Sequence, residues 1–202
     1  MKLGLITDIH EQVEFLQLAL GRFHTEKVEQ IVTLGDVFEL GARTDEICDL
    51  RAEEHVIGVV RNQHMRLRFE PDDRILQKYP ATVLNYMASL KPRLDFGGCH
   101  FTHVEPWLDP GNVADLWYYE GPPDTATKLH RIFAATTSRI MFAGHFHRWL
   151  LATCEGISDW RGDTPMQLDE PERYFVVVGA LCEGRYATFD TESSLLTPFN
   201  EA

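Results

Sequence analysis

Leu3-Gly4-Leu5-Ile6-Thr7 is a short, mostly apolar segment that ends at Asp8, and it predicts a buried first strand. A helix of about 12 residues is predicted to follow, because apolar residues recur at intervals of three and four: Val13, Leu16, Leu20 and Phe23. The β-branched and apolar segment Ile31-Val32-Thr33-Leu34 then predicts a second strand, which ends at Gly35-Asp36. A strand, a helix and a strand in this order predict a βαβ unit with parallel strands.

The next part of the chain repeats this alternation. A short helix near Asp45–Ala52 precedes a third apolar segment, Val56–Val60. A further helical stretch is predicted around residues 73–90. The first half of the chain therefore has the pattern of an α/β protein.

The second half is richer in strands. Gly97-Gly98 lies between Arg93–Phe96 and Cys99–Val104, and two glycines suit the tight turn of a β-hairpin. A helix is predicted at residues 125–135, followed by five strands: Arg139–Ala143, Leu150–Cys154, Tyr174–Val178, Arg185–Phe189 and Leu195–Thr197. A parallel half followed by an antiparallel half predicts an α/β (α+β) fold of two packed β-sheets with helices outside them.

Length and composition narrow the class of protein. The 202 residues, of which 44% are hydrophobic and 25% charged, predict a single globular domain over residues 1–202. No apolar run approaches the roughly 18–20 residues that cross a bilayer, so we expect no membrane-spanning segment. The apolar start is shorter than the core of about 7–15 residues in a secretory signal peptide, and we therefore expect a cytoplasmic protein.

The net charge limits the binding partners that we expect, and the spacing of the cysteines limits the metal sites. Nineteen basic and 31 acidic residues give a net charge of −12, which repels duplex nucleic acid. A phosphate-bearing ligand would therefore need strong local positive charge. The four cysteines are scattered without a CxxC pair, so we expect idle or buried thiols and no zinc ribbon.

The segment from Glu105 to Asp124 is irregular and contains four aromatic residues: Trp107, Trp117, Tyr118 and Tyr119. Loops longer than about 12–15 residues in compact domains are often lids or binding loops. The alternative is a surface excursion that is held in place by its own aromatic side chains.

Polar residues follow the predicted strands at five places. They are Asp8 and His10, Gly35-Asp36, Arg61-Asn62, His103, and the pair His145 and His147. Strand ends in open α/β sheets form a crevice that collects ligands. Since side chains at i and i+2 of extended backbone point the same way, Asp8 with His10 and His145 with His147 are expected to converge.

Each of these residues also has a structural interpretation. An aspartate after a strand commonly caps a helix, Gly-Asp is a common turn, and a buried histidine is often hydrogen-bonded packing. His24, His55, His100 and His130 are assigned to this structural class. The joint occurrence of two aspartates, one asparagine and four histidines at strand ends favours a functional site instead.

The residue types limit the choice of metal ion without identifying it. Imidazole and carboxylate ligands without thiolate suit divalent manganese, iron, zinc or nickel rather than calcium, and we favour manganese. Seven ligands are too many for one tetrahedral ion, but they suit two ions that share a carboxylate. Such a pair binds a bridging hydroxide and assists in-line displacement at phosphorus. Two divalent ions would also supply the local positive charge that a phosphorylated ligand needs.

These motifs resemble those of the calcineurin-like metallophosphoesterase superfamily: DxH at Asp8-Ile9-His10, GDxx(D/E) at Gly35–Glu39, GN(H/N/C)(D/E) near Asn62, a later histidine at His103, and GHxH at Gly144–His147. The resemblance extends over nearly the whole chain. It implies a four-layer αββα sandwich of two mixed β-sheets flanked by helices, with a dinuclear centre at the strand ends. It is greatest to the small bacterial and archaeal phosphodiesterase branch. The arginine that protein serine/threonine phosphatases carry after GDxxD is missing, because Leu40-Gly41 follows Glu39.

Roles for individual residues follow only from this resemblance. It implies that Asp8, His10 and His147 hold the first metal, that Asn62, His103 and His145 hold the second, and that Asp36 bridges the two. Glu39 falls on an acidic position that supports the centre through hydrogen bonds.

The third motif departs from the family pattern. Arg61 stands where the family has glycine, Gln63 stands where a histidine often acts as the acid, and His64 stands at the acidic position. Glutamine cannot protonate a leaving alkoxide. One hypothesis is that His64 donates the proton and that Arg61 binds a substrate oxygen. The alternatives are substrates whose leaving groups need little protonation, and an Arg61 that is merely exposed.

The sequence therefore predicts a metal-dependent phosphoesterase that acts on a phosphodiester or a phosphoanhydride through a dinuclear centre and a bridging hydroxide. The aromatic residues of the 105–124 loop would suit a nucleotide-like small phosphorylated substrate. We expect no duplex nucleic acid or membrane partner, and the oligomeric state is open. The alternatives are a binding module on the same fold that is catalytically weak or inactive, and a domain that binds one metal without turnover.

Overall fold

The structure, a computed structural model, describes residues 1–37, 43–60, 77, 79–110, 112, 115 and 120–201. Its helices are α1 (Val13–Thr25), α2 (Thr44–Glu53), α3 (Ala81–Ser89) and α4 (Ala126–Ala135). Its first six strands are β1 (Lys2–Ile6), β2 (Gln30–Thr33), β3 (Ile57–Gly58), β4 (Leu94–Phe96), β5 (Cys99–Phe101) and β6 (Ile140–Ala143). The other six are β7 (Leu150–Thr153), β8 (Gly156–Ile157), β9 (Met166–Gln167), β10 (Tyr174–Val177), β11 (Arg185–Asp190) and β12 (Leu195–Asn200).

The strands form two mixed sheets of six. The first sheet has the order β3-β2-β1-β11-β12-β9, and the second has the order β4-β5-β6-β10-β7-β8. The predicted βαβ unit is confirmed, since β1 pairs parallel to β2 with Leu5 opposite Val32. The predicted hairpin is also confirmed, because β4 and β5 pair antiparallel and both Gly97 and Gly98 have positive φ angles.

The expected fold of two mixed β-sheets flanked by helices is confirmed. The strands of the second half of the chain contribute to both sheets, since β11 pairs antiparallel to β1 in the first sheet. In the second sheet, β5, β6 and β10 pair parallel to one another. Two short strands, β8 and β9, are not expected from the sequence. Both have only two residues, which is too short for an alternating pattern to show.

Strand alternation gives the sandwich its layers. Ile140 and Phe142 of β6 pack in the core between the two sheets, whereas the alternate residues Met141 and Ala143 pack under α4. The helices α1, α2 and α3 cover the outer face of the first sheet, where Val13, Ile47 and Met87 belong to one buried cluster. The order of layers is therefore helix, sheet, sheet, helix. None of the helices in the described part of the chain is long and apolar enough to span a membrane.

Candidate functional site

Four strands end at the same edge of the sandwich, and each is followed by a predicted metal ligand. Asp8 follows β1, Asp36 follows β2, His103 follows β5 and His145 follows β6. Backbone hydrogen bonds join these segments. Ile9 N–H donates to Asp36 O at 2.8 Å, and Gly144 N–H donates to His103 O at 3.1 Å. Parallel pairing of β1 with β2 and of β5 with β6 places the polar residues of each sheet side by side, and the hydrogen bond from the backbone N–H of His145 to Asp8 joins the two sheets.

The backbone at these residues is left-handed rather than extended. The φ angles are 50° at Asp8, 44° at His10, 50° at Asp36, 71° at His145 and 48° at His147. The expectation that i and i+2 side chains converge along extended backbone is therefore wrong in its reason, although Asp8 and His10 do have ligand atoms within 4.8 Å of each other. Non-glycine residues rarely adopt a positive φ angle, because this conformation costs of order 1–3 kcal/mol for each residue. Residues with such strained backbone cluster at functional sites.

Asp8 is buried and held from several directions. Its Oδ2 accepts hydrogen bonds from Thr7 Oγ1 at 2.7 Å and from the backbone N–H of His145 at 2.8 Å. Its Oδ1 lies 3.6 Å from His147 Nε2. Burial raises the pKa of the Asp8 carboxyl, but the contacts with His147 and Thr7 outweigh burial and lower that pKa to about 2. Asp8 is therefore a fixed, buried and ionised carboxylate, which is a form that can bind a cation.

Two histidines and a second carboxylate complete this side of the site. His10 Nε2 lies 3.2 Å from His147 Nε2 and 3.3 Å from Asp36 Oδ2. The carboxylate of Asp8, and next the thiol of Cys182, raise the pKa of His147 to about 10. Asp36 itself is 1% exposed. Oxygen and nitrogen atoms of three chain segments therefore converge on one small volume.

These separations fit a metal ion. Ligands bound at about 2.0–2.1 Å in tetrahedral geometry lie roughly 3.3 Å from one another. The observed distances of 3.2, 3.3 and 3.6 Å among His10, His147, Asp36 and Asp8 are close to that value. Asp8, His10 and Asp36 have ligand atoms that all lie within 4.8 Å of one another. The donor set can therefore hold a divalent cation.

His103 and His145 lie beside this cluster. Their ring centroids are 5.1 Å apart, and His103 is buried. His103 Nδ1 lies 2.7 Å from the carbonyl oxygen of Leu34, which can only accept a hydrogen bond. Nδ1 therefore carries the hydrogen, and Nε2 keeps the lone pair that a metal ligand requires. The structure thus brings together six of the seven predicted ligands.

Two glycines of the motifs, Gly35 and Gly144, lie where neighbouring atoms leave no room for a side chain. A Cβ at Gly35 would lie 2.7 Å from His103 Nδ1, and Gly35 also has a φ angle of 99°. A Cβ at Gly144 would lie 1.9 Å from Thr7 Oγ1 and 3.0 Å from Asp8 Oδ2. Any larger residue at either position would displace a predicted ligand or its hydrogen-bond donor.

Two residues at the site are not expected from the sequence. Cys182 Sγ lies 3.9 Å from His147 Nδ1, and His10, His147 and Cys182 have ligand atoms within 4.8 Å of one another. Glu183 Oε1 lies 3.4 Å from His147 Nδ1, and its Oε2 accepts a hydrogen bond from Arg185 at 2.8 Å. Cys182 thus adds a thiol beside a donor set that the sequence predicts without cysteine. Both residues lie in the turn Leu181–Glu183, which has no sequence pattern that indicates a site.

Several predicted residues lie outside the part of the chain that the structure describes. They are Glu39, Arg61, Asn62, Gln63 and His64, together with the aromatic residues 117–119. Of the 105–124 loop, the flanks are described and are anchored. Arg93 Nη2 donates to the carbonyls of Pro106 and Leu108, and Lys128 Nζ donates to those of residues 120–122.

Comparisons with known proteins bear on the family and the fold. The family model of the calcineurin-like phosphoesterase superfamily domain matches residues 1–194. No curated protein matches the sequence significantly.

Solved structures share the fold. A metallophosphoesterase from Sphaerobacter thermophilus is 21% identical, with a TM-score of 0.79, over 100% of this chain and 88% of that one. A hypothetical protein from Pyrococcus horikoshii OT3 is 12% identical, with a TM-score of 0.67, over 98% of this chain and 87% of that one. An archaeal phosphodiesterase is 11% identical, with a TM-score of 0.55, over the full length of both chains. At these identities the likeness concerns the fold.

Proposed function

The chain belongs to the calcineurin-like phosphoesterase superfamily, and we propose that it hydrolyses phosphodiesters or phosphoanhydrides with a dinuclear metal centre. The observation that carries the proposal is the convergence of Asp8, His10, Asp36 and His147 at metal-ligand separations. A bound cation would compensate the charge of the buried carboxylates of Asp8 and Asp36.

The proposed ligands divide into two groups around Asp36. Asp8, His10 and His147 would hold the first ion, Asn62, His103 and His145 would hold the second, and the carboxylate of Asp36 would be available to both. In support, the backbone N–H of His145 donates to Asp8, which ties the two groups together at 2.8 Å. The hydrogen bond from His103 to Leu34 O fixes the tautomer that can bind metal.

Two divalent cations at these residues would supply an acidified water for in-line attack and positive charge beside the phosphoryl oxygens. We propose manganese, iron, zinc or nickel, with manganese favoured. The thiol of Cys182 adds a softer donor close to His147, and thiolate ligands suit zinc better than manganese. The test for metal identity therefore includes zinc.

The second and third motifs supply the remaining proposed roles. His64 protonates the leaving group in place of the missing histidine at Gln63, Arg61 binds a substrate oxygen, and Glu39 supports the centre through hydrogen bonds. These roles come from the sequence. We propose a small phosphorylated substrate, nucleotide-like in character, and a cytoplasmic setting in which the four free cysteines stay reduced.

The experiment is hydrolysis of bis(p-nitrophenyl) phosphate by the whole chain with added manganese or zinc. The proposal predicts release of p-nitrophenol that depends on the metal and is lost in Asp36→Ala. His24→Ala is a matched control, because His24 pairs with Glu54 on the surface and should keep full activity. Equal product from wild type and Asp36→Ala, or no metal-dependent product, would favour the binding module instead.

A further inference from the structure

A pocket of about 570 Å³ opens beside Arg148, Trp149 and Leu150, the residues that follow the GHxH segment. Three of its lining residues are the arginines Arg148, Arg161 and Arg185, and two are the aspartates Asp124 and Asp163. The formal charge of the lining is therefore +1, in a chain whose net charge is −12. None of the six proposed metal ligands that the structure describes lines this pocket, so it is separate from that cluster.

Arg185 forms the wall that the pocket shares with the metal centre. Its Nη1 donates to the carbonyl oxygen of His147 at 3.3 Å and to Glu183 Oε2 at 2.8 Å. Arg148 follows His147 directly in the chain. A ligand group in the pocket would therefore lie beside the segment that carries His147, a proposed ligand of the first metal, and another part of the same substrate would extend toward that metal.

The frame of the pocket is held by hydrogen bonds. Trp149 Nε1 donates to Asn200 Oδ1 at 3.0 Å, and Asn200 Nδ2 donates to the carbonyl of Gly162 at 2.7 Å. Gly162 packs on the indole so closely that a Cβ there would lie 2.2 Å from Trp149 Cδ1. Arg161 Nη1 donates to the carbonyls of two neighbouring residues of its own loop. A frame fixed in this way loses little entropy when a ligand binds.

Arg148 differs from the other two arginines. It is exposed, and it makes no hydrogen bond or ion pair with any residue that the structure describes. Its guanidinium can therefore turn toward a ligand without breaking an internal contact of the described chain. Planar guanidinium groups bind phosphate oxygens with two parallel hydrogen bonds, and arginine is for this reason the usual residue for phosphate recognition.

We propose that this pocket binds an anionic phosphate group of the substrate that is not itself hydrolysed, with Arg148 as the main contact. The inference rests on the proposed function and extends it, because it assigns the enzyme substrates with a second phosphate or a polyphosphate chain. The volume lies within the range of about 300–1,000 Å³ for small-molecule sites, so it also accommodates the group to which that phosphate is attached.

The test is binding of inorganic tripolyphosphate to the whole chain, measured by calorimetry in the presence of a chelator. Removing metal ions in this way leaves the pocket as the site under test. We expect one tripolyphosphate per chain in wild type, and an affinity weakened by about tenfold or more in Arg148→Ala, because a hydrogen bond to a charged group is lost. Binding should also weaken as salt is added.

Two further variants make the test decisive. Arg161→Ala should weaken tripolyphosphate binding as well, whereas Arg22→Ala is a matched control on α1, outside the pocket, and should bind like wild type. Equal affinity of wild type and Arg148→Ala, or no binding by wild type, overturns the inference. Failure of the hydrolysis assay alone would overturn the proposed function and leave a tripolyphosphate site standing, so the two failures are distinguishable.

Discussion

His10 Nε2 and His147 Nε2 lie 3.2 Å apart, although 137 residues separate them in the chain. Two imidazole nitrogens at this distance repel each other if both carry a lone pair or both carry a hydrogen. They are stable neighbours only when a single proton or a cation lies between them. Asp36 Oδ2 lies 3.3 Å from the same His10 nitrogen. This contact between the first and last motifs is therefore the centre of the candidate site.

Glu183 is expected to position His147 for metal binding. Its carboxylate faces Nδ1 of the ring at 3.4 Å, while Nε2 faces His10 and Asp8. A carboxylate behind a ligating histidine fixes its tautomer, and loss of such a partner typically costs about 10–100-fold in metal affinity. Glu183→Gln should lower manganese affinity by that factor in a calorimetric titration. Glu155→Gln, an exposed control, should not, and unchanged affinity in Glu183→Gln would remove this role.

Gly144 and Gly21 give a paired test of packing. Gly144→Ala places a Cβ 1.9 Å from Thr7 Oγ1, and overpacking of this kind typically costs about 1–3 kcal/mol. Gly21 lies in α1, and among the described residues no atom outside the neighbouring backbone of the helix lies within 4 Å of the position that a Cβ would take there, so Gly21→Ala should raise stability by about 0.5–1 kcal/mol. Thermal and urea unfolding measure both. A neutral Gly144→Ala would show that the segment before His145 is not tightly held against β1.

The cysteines should differ in reactivity. Burial raises the pKa of the Cys48 and Cys99 thiols to about 12, so at pH 8 only about one in 10⁴ of either is thiolate. A thiol reagent at pH 8 should label Cys154 and Cys182 in the folded protein and all four in denaturant. Manganese or zinc should protect Cys182, beside His147, and leave Cys154 reactive. Protection of neither thiol by any metal would place Cys182 outside the centre.

The same two buried thiols have a consequence for stability. In the unfolded chain they ionise near pH 8.5, whereas in the folded chain they stay neutral. The unfolded state therefore gains free energy of ionisation as pH rises above about 8.5, and folding stability contributed by these groups is lost in that direction. Cys48→Ala and Cys99→Ala should each make the free energy of unfolding less sensitive to pH between about 8.5 and 10.5. Urea unfolding across that range measures the effect, and an unchanged pH dependence in both variants would contradict it.

His64 is expected to act as the acid for poor leaving groups. His64→Ala should lower turnover of alkyl phosphoesters by about 10²–10⁴-fold and leave p-nitrophenyl esters much less affected, because p-nitrophenolate needs no proton to depart. Gln63→His should raise turnover of the alkyl esters. If the wild type cleaves only aryl esters and His64→Ala keeps that activity whole, the proton does not come from His64.

The sequence predicts the local parts of this fold well. The apolar segment of β6 and the apolar spacing of α1 identify both elements, and Gly97-Gly98 identifies the hairpin. It does not predict that β11 completes the first sheet, because the pairing of Lys2 with Asp190 is set by packing across the whole chain. Local hydrophobic patterns carry no information on which sheet a distant strand joins.

In the candidate site, too, the residues of local motifs could be predicted from the sequence, and the residues that long-range contacts bring in could not. The motifs identify six residues that the structure brings together: Asp8, His10, Asp36, His103, His145 and His147. The alternation of side chains along a strand does not explain how they come together. Left-handed backbone turns the side chains inward, and Gly35 and Gly144 make room for them. Cys182 and Glu183 could not be predicted, because a long-range contact places their turn beside His147: Cys182 N–H donates to Asp8 O at 3.0 Å.

The dinuclear centre is tested most directly by the number and coupling of manganese ions bound per chain, measured by metal titration with electron paramagnetic resonance. We expect two ions per chain whose spins are coupled through a shared ligand, and loss of that coupling in Asp36→Ala. A saturated wild-type protein that holds one ion, or that shows only the signal of isolated ions, would contradict the shared centre.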